Sequence, residues 1–359
     1  MPYKFRIHVT LNLSQISALF FFFWETRAPD FLPGECMPWI FCLRVYGMNG
    51  EPVLITPEGV ACFLALGSAG AVFQDDSNQD RVVKAPLKYN VKGCSQQVVD
   101  SVKNRESYSE LCLSREKLVY ETLPKDPNIL ECLSITERGL EFPYYRLGNL
   151  RKYLRKHNRR LNRDIQDRWI ENAISAVALI HSHGVVHADI SPRNFLLAED
   201  MSIKLCDFAG SVIGDLEPLV EEEDRYRISP WSPRTFKTDL FALGCLIYEI
   251  STGERPYHDT DDSDFEEIEK RYAAQIFPSL NGLKYRDIIF KCLTFQYPSA
   301  DMLRDDFNRC NRSDALNGLT RAGSRTKLCL LERPWLTLVL SIVSASSVMY
   351  WIYYKRFRR

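Results

Sequence analysis

The sequence predicts an α+β fold of two lobes, a small β-rich N-lobe followed by a mainly helical C-lobe. Short apolar runs separated by glycine dominate from residue 52 to residue 147, which is typical of strands joined by tight turns. From residue 148 to residue 310, apolar residues instead recur at helical spacing. A chain of 359 residues, 45% of them hydrophobic, can bury a core of this size.

The N-lobe elements follow one another in sequence order. The segments VACFLALGSAGAVFQ (60–74) and RVVKAPL (81–87) are predicted as strands around a glycine turn. The segment SYSELCLSREKLVYETL (107–123) is predicted as a helix because its leucines have helical spacing. Two further apolar stretches, ILECLSIT (129–136) and GLEFPYY (139–145), are predicted as strands.

Two segments of the C-lobe carry clear helical patterns. Residues 163–184 have apolar side chains at helical period, and Gly184 is a typical stop signal. Residues 239–253 are apolar almost all round, as expected of a buried helix. These two helices are predicted to form the centre of the C-lobe.

Charge and cysteine content limit the possible partners and compartments. The chain has 46 Lys and Arg against 46 Asp and Glu, so no overall positive field favours nucleic acid, and we expect no nucleic-acid partner. Its eleven cysteines are scattered and form no paired CxxC motif. This pattern indicates reduced thiols in a cytosolic environment rather than a disulfide framework or a zinc site.

Four short motifs stand out in the sequence. In chain order they are ALGSAGAV (65–72), RVVKAP (81–86), HADISPRN (187–194) and KLCDFAG (204–210). They contain a glycine turn that can approach phosphates, a lysine on a strand, a carboxylate and an amide five residues apart on one loop, and an aspartate after a strand. Over residues 55–310 this set resembles the eukaryotic protein kinase family, and specifically the divergent kinase-like proteins of filamentous fungi.

The resemblance implies a bilobal protein kinase-like fold, with ATP and Mg²⁺ as cofactors and a protein substrate, phosphorylated on Ser or Thr by family default. The residues implied to bind ATP are Gly67, Gly70, Val72, Val82 and Lys84. The residues implied to bind Mg²⁺ are Asn194 and Asp207. Asp189 would accept the proton of the acceptor hydroxyl. Glu116 would hold Lys84, with Glu110 and Glu121 on the same predicted helix as alternatives.

The resemblance also implies structural roles in the C-lobe. Asp239 matches a buried aspartate that fixes the backbone of the catalytic loop. His187 and Phe208, with Tyr120, match an apolar column that joins the two lobes. For His187 we therefore expect a place in the core rather than a catalytic role.

Some positions depart from the family pattern. Ser191 stands where the family has a lysine that neutralises the transferred phosphoryl group, and Arg193 is the residue expected to compensate. Ala65 and Ala209 replace glycines of the family motifs. Two hypotheses follow: an active or weakly active protein kinase, or a catalytically impaired ATP-binding pseudokinase that acts as a membrane-tethered scaffold.

The two ends of the chain receive separate predictions. Residues 1–51 are interpreted as an N-terminal extension, with a signal or anchor segment as the alternative. Residues 311–334 are predicted as a linker, 335–354 as a transmembrane helix and 355–359 as a basic tail, because twenty uncharged residues have the length of a bilayer span. The expected location is thus a membrane, reached by a single C-terminal anchor with the kinase domain in the cytosol. The alternative is a helix docked on a cytoplasmic protein.

Overall fold

The computed structural model describes residues 51–157 and 161–312, which form a strand-rich lobe followed by a helical lobe. The strands are β1 (Val53–Leu54), β2 (Val60–Leu66), β3 (Ala71–Asp75), β4 (Arg81–Ala85), β5 (Tyr89–Asn90), β6 (Ser134–Thr136), β7 (Gly139–Pro143), β8 (Val185–Val186), β9 (Phe195–Leu197), β10 (Ile203–Leu205) and β11 (Val212–Ile213). The helices are α1 (Gln96–Thr122), α2 (Leu150–His157), α3 (Arg163–Ser182), α4 (Phe236–Thr252), α5 (Phe265–Ala273) and α6 (Arg286–Leu293). Residues 300–312 are also helical. The two-lobed part of the predicted fold is therefore observed.

The N-lobe is built on a five-stranded antiparallel sheet in the order β2-β3-β4-β7-β6. Lys84 lies on the central strand, opposite Val72 on one neighbour and Leu140 on the other. Gly139 begins β7 with a φ of 138°, and a Cβ atom there would lie 2.1 Å from the carbonyl oxygen of Lys84. A glycine is required at this position because only a residue without a side chain lets the two strands approach so closely.

Helix α1 packs one face against the rest of the domain. Its buried residues include Val102, Ser109, Cys112, Glu116 and Val119, whose spacing of three, four and seven keeps them on one side. The helix begins at Gln96, eleven residues before the predicted start at 107. The sequence signal was weak there because residues 96–106 are mostly polar.

The predicted strand at 129–136 is largely wrong. Only Ser134–Thr136 forms a strand, β6, while Ile129 and Leu130 are buried in an irregular stretch. The amide of Leu130 donates to the carbonyl of Leu205 in the C-lobe, at 2.8 Å. The apolar pattern of this segment thus reflects burial between the lobes rather than pairing within a sheet.

Helices α3 and α4 lie at the centre of the C-lobe core. Helix α4 is buried at every position from Asp239 to Ile250, as its uniformly apolar sequence predicts. Thr235 and Thr238 close its first turn as a capping box, and Gly253 ends it in the left-handed conformation at a φ of 76°. The capping box fixes where α4 begins, and therefore where Asp239 meets the catalytic loop.

The predicted C-terminal transmembrane helix requires a correction. Among residues 51–157 and 161–312, no helix is both long and apolar enough to cross a membrane. The segment to which the prediction applied, 335–354, lies outside the described residues, as do the linker after residue 312, the basic tail and residues 1–50. The described residues accordingly form a two-lobed α+β domain with no membrane helix among them.

Candidate active site

Lys84 joins the two lobes through a pair of carboxylates. Its Nζ atom lies 2.5 Å from Oε2 of Glu116 on α1 and 2.7 Å from Oδ1 of Asp207, which follows β10. Burial alone would lower the pKa of Lys84, but the negative charges and hydrogen bonds of Asp207 and Glu116 outweigh burial. They raise the pKa of Lys84 above its usual value. The same ammonium holds the pKa of Asp207 below its usual value, against the effect of burial. Lys84 and Asp207 are therefore both charged at neutral pH.

The two alternative partners of Lys84 are engaged elsewhere. Glu110 forms an ion pair with Lys88, and the Oε1 atom of Glu121 lies 3.9 Å from Nζ of Lys117. Both carboxylates are about half exposed, whereas the side chain of Glu116 is 2% exposed. Burial on the inner face of α1 thus distinguishes Glu116 from its neighbours.

The glycine turn between β2 and β3 is held close to α1 and β4. The amide of Gly67 donates to the carbonyl of Gly70 at 2.8 Å, which closes the turn. A Cβ atom at Gly70 would lie 2.7 Å from the carbonyl oxygen of Ala85. The hydroxyl of Ser109 on α1 donates to the carbonyl of Ala69 at 3.1 Å and accepts the amide of Leu87 at 2.9 Å. Ser109 therefore links α1 to the turn, a role that the sequence analysis did not identify.

Val72 and Val82 lie next to the turn in a small apolar cluster. Leu140 and Phe142 of β7 belong to the same cluster, and Leu196 of the C-lobe packs against it. The five predicted ATP-binding residues thus lie on three adjacent stretches of the N-lobe, the glycine turn with β3 and β4. These residues belong to the N-lobe side of the region between the lobes, and Lys84 reaches from this side to Asp207.

The catalytic loop brings Asp189 and Asn194 into direct contact. The Nδ2 group of Asn194 donates to the Asp189 carbonyl at 2.7 Å and to its Oδ2 atom at 2.8 Å. Burial raises the pKa of the Asp189 carboxyl, and the charge of Glu223 raises it further, while Arg193 and Asn194 oppose this shift. The spacing of five residues therefore produces one fixed carboxylate–amide pair.

The loop itself is held by a buried aspartate of α4. The amide of His187 donates to Oδ2 of Asp239 at 2.7 Å, and the amide of Ala188 donates to Oδ1 at 3.0 Å. The Nε2 atom of His181 lies 2.9 Å from Oδ2 of the same carboxylate. Ala188 has a φ of 64°, a conformation that costs a non-glycine residue about 1–2 kcal/mol. Asp239 thus compensates a strained backbone just before Asp189.

Aromatic rings connect this loop to the N-lobe. The ring of Phe208 lies 5.3 Å from that of Tyr120 on α1 and 5.2 Å from that of His187. The Nε2 atom of His187 lies 3.1 Å from the carbonyl of Cys206. Burial lowers the pKa of His187, with Asp239 opposing the shift. His187 is therefore a neutral core residue that supports Asp207 through the neighbouring backbone.

The oxygen atoms near Asp189 suit Mg²⁺. Because the Nδ2 atom of Asn194 donates to two oxygen atoms of Asp189, the Oδ1 atom of the Asn194 side chain is the one left for a cation. The side chain of Asp207 is 45% exposed and offers its second carboxylate oxygen. In the part of the chain that the structure describes, no three acidic, histidine or cysteine side chains cluster into a complete metal cage. Two oxygen ligands with phosphate oxygens and water completing the shell are typical of Mg²⁺.

A model of the protein kinase domain matches residues 81–299, more than half of the chain. The chain belongs to the protein kinase family. This match confirms the family that the motifs indicated, and ATP with Mg²⁺ is the cofactor pair that protein kinases generally use.

Individual kinases give partial matches. The serine/threonine-protein kinase PDK1 of Cryptococcus neoformans is 34% identical over 140 residues, which cover 34% of this chain and 11% of that kinase. The serine/threonine-protein kinase PLK4 of Nematostella vectensis is 27% identical over 185 residues, which cover 47% of this chain and 18% of that kinase. The dual specificity protein kinase TTK of mouse is 24% identical over 259 residues, which cover 64% of this chain and 28% of that kinase. The chain thus matches less than a third of the length of each of these relatives.

The position of the missing kinase lysine has a distinctive environment. Ser191 is fully buried and carries no charge. Arg193 lies two residues further on, and its Nε atom is 2.8 Å from Oε1 of Glu223. Glu223 belongs to the acidic run EEED (221–224), and no spacing rule relates residues thirty positions apart, such as Arg193 and Glu223. Glu223 is the main residue of the site that the sequence did not reveal.

Proposed function

We propose that this kinase domain transfers the γ-phosphoryl group of ATP to a hydroxyl of a protein substrate in a magnesium-dependent reaction. The observation that carries the proposal is the contact of Lys84 with both Glu116 and Asp207, at 2.5 and 2.7 Å. Phosphoryl transfer depends on positioning and charge neutralisation, and this contact aligns a phosphate-binding cation with a metal-binding carboxylate. Glu116 would keep Lys84 directed at the α and β phosphates.

The remaining roles follow from the catalytic loop. Asp189 would orient the acceptor hydroxyl and receive its proton, since a carboxyl whose pKa is raised by burial is a better proton acceptor. Asn194 and Asp207 would hold Mg²⁺, which when bound neutralises charge on the phosphates. Arg193 would supply the positive charge that Ser191 lacks.

Serine and threonine are the proposed acceptors. Two of the three relatives described above are named serine/threonine-protein kinases, and the third is named a dual specificity kinase. These names, rather than any contact in the active site, support the preference.

A second candidate function is nucleotide binding without transfer, as in a pseudokinase that serves as a scaffold. The observation that favours it is the charge balance beside Asp189. Ser191 is neutral, and the one nearby arginine of the loop, Arg193, is paired with the carboxylate of Glu223. If that pair withholds Arg193 from the phosphoryl group, ATP would bind and remain intact.

The two candidates are distinguished by measuring transfer and binding on the same samples. The chain is incubated with γ-labelled ATP, Mg²⁺ and a mixture of generic acceptor proteins, and Asp189→Asn serves as the matched control. The proposal predicts labelling by the wild type and at least about 100-fold less by Asp189→Asn, because the acceptor hydroxyl loses its base. Equal labelling by the two proteins would contradict the proposal. Bound ATP without any labelling by the wild type would establish the second candidate instead.

A further inference from the structure

Glu223 lies between two arginines from different parts of the C-lobe. Its Oε2 atom is 2.5 Å from Nη1 of Arg151 on α2, and its Oε1 atom is 2.8 Å from Nε of Arg193 on the catalytic loop. The side chain of Glu223 is only 13% exposed. Burial would raise the pKa of Glu223, but the two arginines outweigh burial and lower it below its usual value. Glu223 is therefore an ionised bridge between α2 and the loop that carries Asp189.

The Arg151 side of this bridge is rigid. The Nε and Nη2 atoms of Arg151 donate to the two carboxylate oxygens of Glu249 on α4, at 3.2 and 3.3 Å. The guanidinium also lies over the ring of Tyr226, 5.2 Å from its centre, and the Tyr226 hydroxyl donates to Glu249. The side chain of Arg151 is 6% exposed. One carboxylate oxygen of Glu223 is thus fixed by a buried network of three elements.

The Arg193 side is open. The side chain of Arg193 is 37% exposed, and its closest approach to Glu223 is through Nε. Within residues 51–157 and 161–312, its two terminal nitrogens have no hydrogen-bond partner. A guanidinium presents its donors in a planar fork, so an arginine held at Nε still offers the opposite edge to phosphate oxygens. Arg193 is therefore anchored at one edge and available at the other.

We propose that Glu223 is a positioning residue that holds the free edge of Arg193 toward the phosphoryl group being transferred, with Arg151 and Glu249 as its support. The inference rests on the proposed kinase activity and explains how the loop works without the family lysine. A flexible arginine must lose rotamer freedom to engage the transition state, whereas an arginine already held by Glu223 does not. The segment after Asp207 would thus contribute Glu223, which orients Arg193 of the catalytic loop.

A double-mutant cycle tests whether Glu223 acts through Arg193. Single-turnover transfer rates and ATP affinities are measured for the wild type, Arg193→Ala, Glu223→Ala and the double variant. We expect Arg193→Ala to lower the rate about 100-fold and Glu223→Ala about 10-fold, both with ATP affinity unchanged. In the Arg193→Ala background, the Glu223 substitution should have no further effect on the rate.

Two other results would overturn the inference. If Glu223→Ala lowers the rate equally in both backgrounds, Glu223 has a purely structural role through Arg151. If it raises the rate, Glu223 withholds Arg193 instead of positioning it. Glu221→Ala is the matched control, because Glu221 belongs to the same acidic run but is 69% exposed and pairs with Arg227. Its rate should equal that of the wild type.

The folding of each variant is checked by its unfolding midpoint. If Glu223→Ala does not fold, the same cycle is measured with Glu223→Gln, which keeps the size of the side chain while losing its charge. A wild type that binds ATP but transfers no phosphate would refute the proposed function and this inference together. An active wild type with additive effects would refute this inference alone.

Discussion

The hydrogen bonds of Asp239 lead to a quantitative prediction about stability. Asp239→Ala removes the acceptor of two buried backbone amides, those of His187 and Ala188, which lie 2.7 and 3.0 Å from its carboxylate. Leaving a buried donor without a partner costs about 1–3 kcal/mol, so the pair should cost about 4 kcal/mol of unfolding free energy. Asp239→Asn keeps one acceptor oxygen and should cost about half as much. Transfer activity should fall in both variants because the backbone before Asp189 loses its support.

The assay is urea unfolding followed by intrinsic tryptophan fluorescence, with a buried reporter in Trp169. Asp287→Ala is the matched control, since the side chain of Asp287 is 82% exposed and pairs with its neighbour Arg286. It should change the free energy of unfolding by less than about 0.5 kcal/mol. The reasoning would be refuted if Asp239→Ala and Asp287→Ala were equally stable.

Three further predictions concern stability. Ala188→Gly should raise the free energy of unfolding by about 1 kcal/mol in urea titrations, because glycine relieves the strain of the φ of 64°; no gain would show that the strain is absent. Gly139→Ala should lower it by more than about 3 kcal/mol and weaken ATP binding, since the new methyl would displace the Lys84 carbonyl; wild-type behaviour would contradict this close contact. Asp306 pairs with Lys291 and Arg309 and accepts the Tyr297 hydroxyl at 2.8 Å, and these contacts outweigh burial and lower its pKa to about 2. Its folded pKa lies below the unfolded value of 3.8, so its contribution is present above about pH 4 and is lost as pH falls toward 2. Asp306→Asn should therefore cost about 1 kcal/mol at pH 7, after allowance for exposed partners, and less at pH 3, and a cost independent of pH would refute this account.

Short motifs located more of the candidate site residues than the hydrophobic periodicity of the sequence did. Lys84, Asp189, Asn194 and Asp207 lie at positions set by short local motifs, and the structure brings them to one region between the lobes. Glu116 was favoured over its neighbours only by resemblance, and the distinguishing property, burial on the inner face of α1, becomes visible in three dimensions.

What the sequence missed depends on contacts between distant segments. The pairing of Glu223 with Arg193 and Arg151 joins residues up to seventy-two positions apart, for which no periodicity exists. The failed strand at 129–136 shows a related limit, because apolar residues buried between lobes have the same composition as a strand. The membrane helix at 335–354 was likewise predicted from composition alone. No described helix is long and apolar enough to cross a membrane.

The kinetics of a single turnover test the central claim most directly. With ATP and Mg²⁺ saturating on both proteins, the rate at which labelled phosphate reaches an acceptor protein is compared between the wild type and Asp189→Asn. The account predicts equal ATP affinity and a rate at least about 100-fold lower for Asp189→Asn, because only the step that uses the acceptor hydroxyl has lost its base. Equal rates for the two proteins, or no phosphoryl transfer by an ATP-saturated wild type, would contradict it.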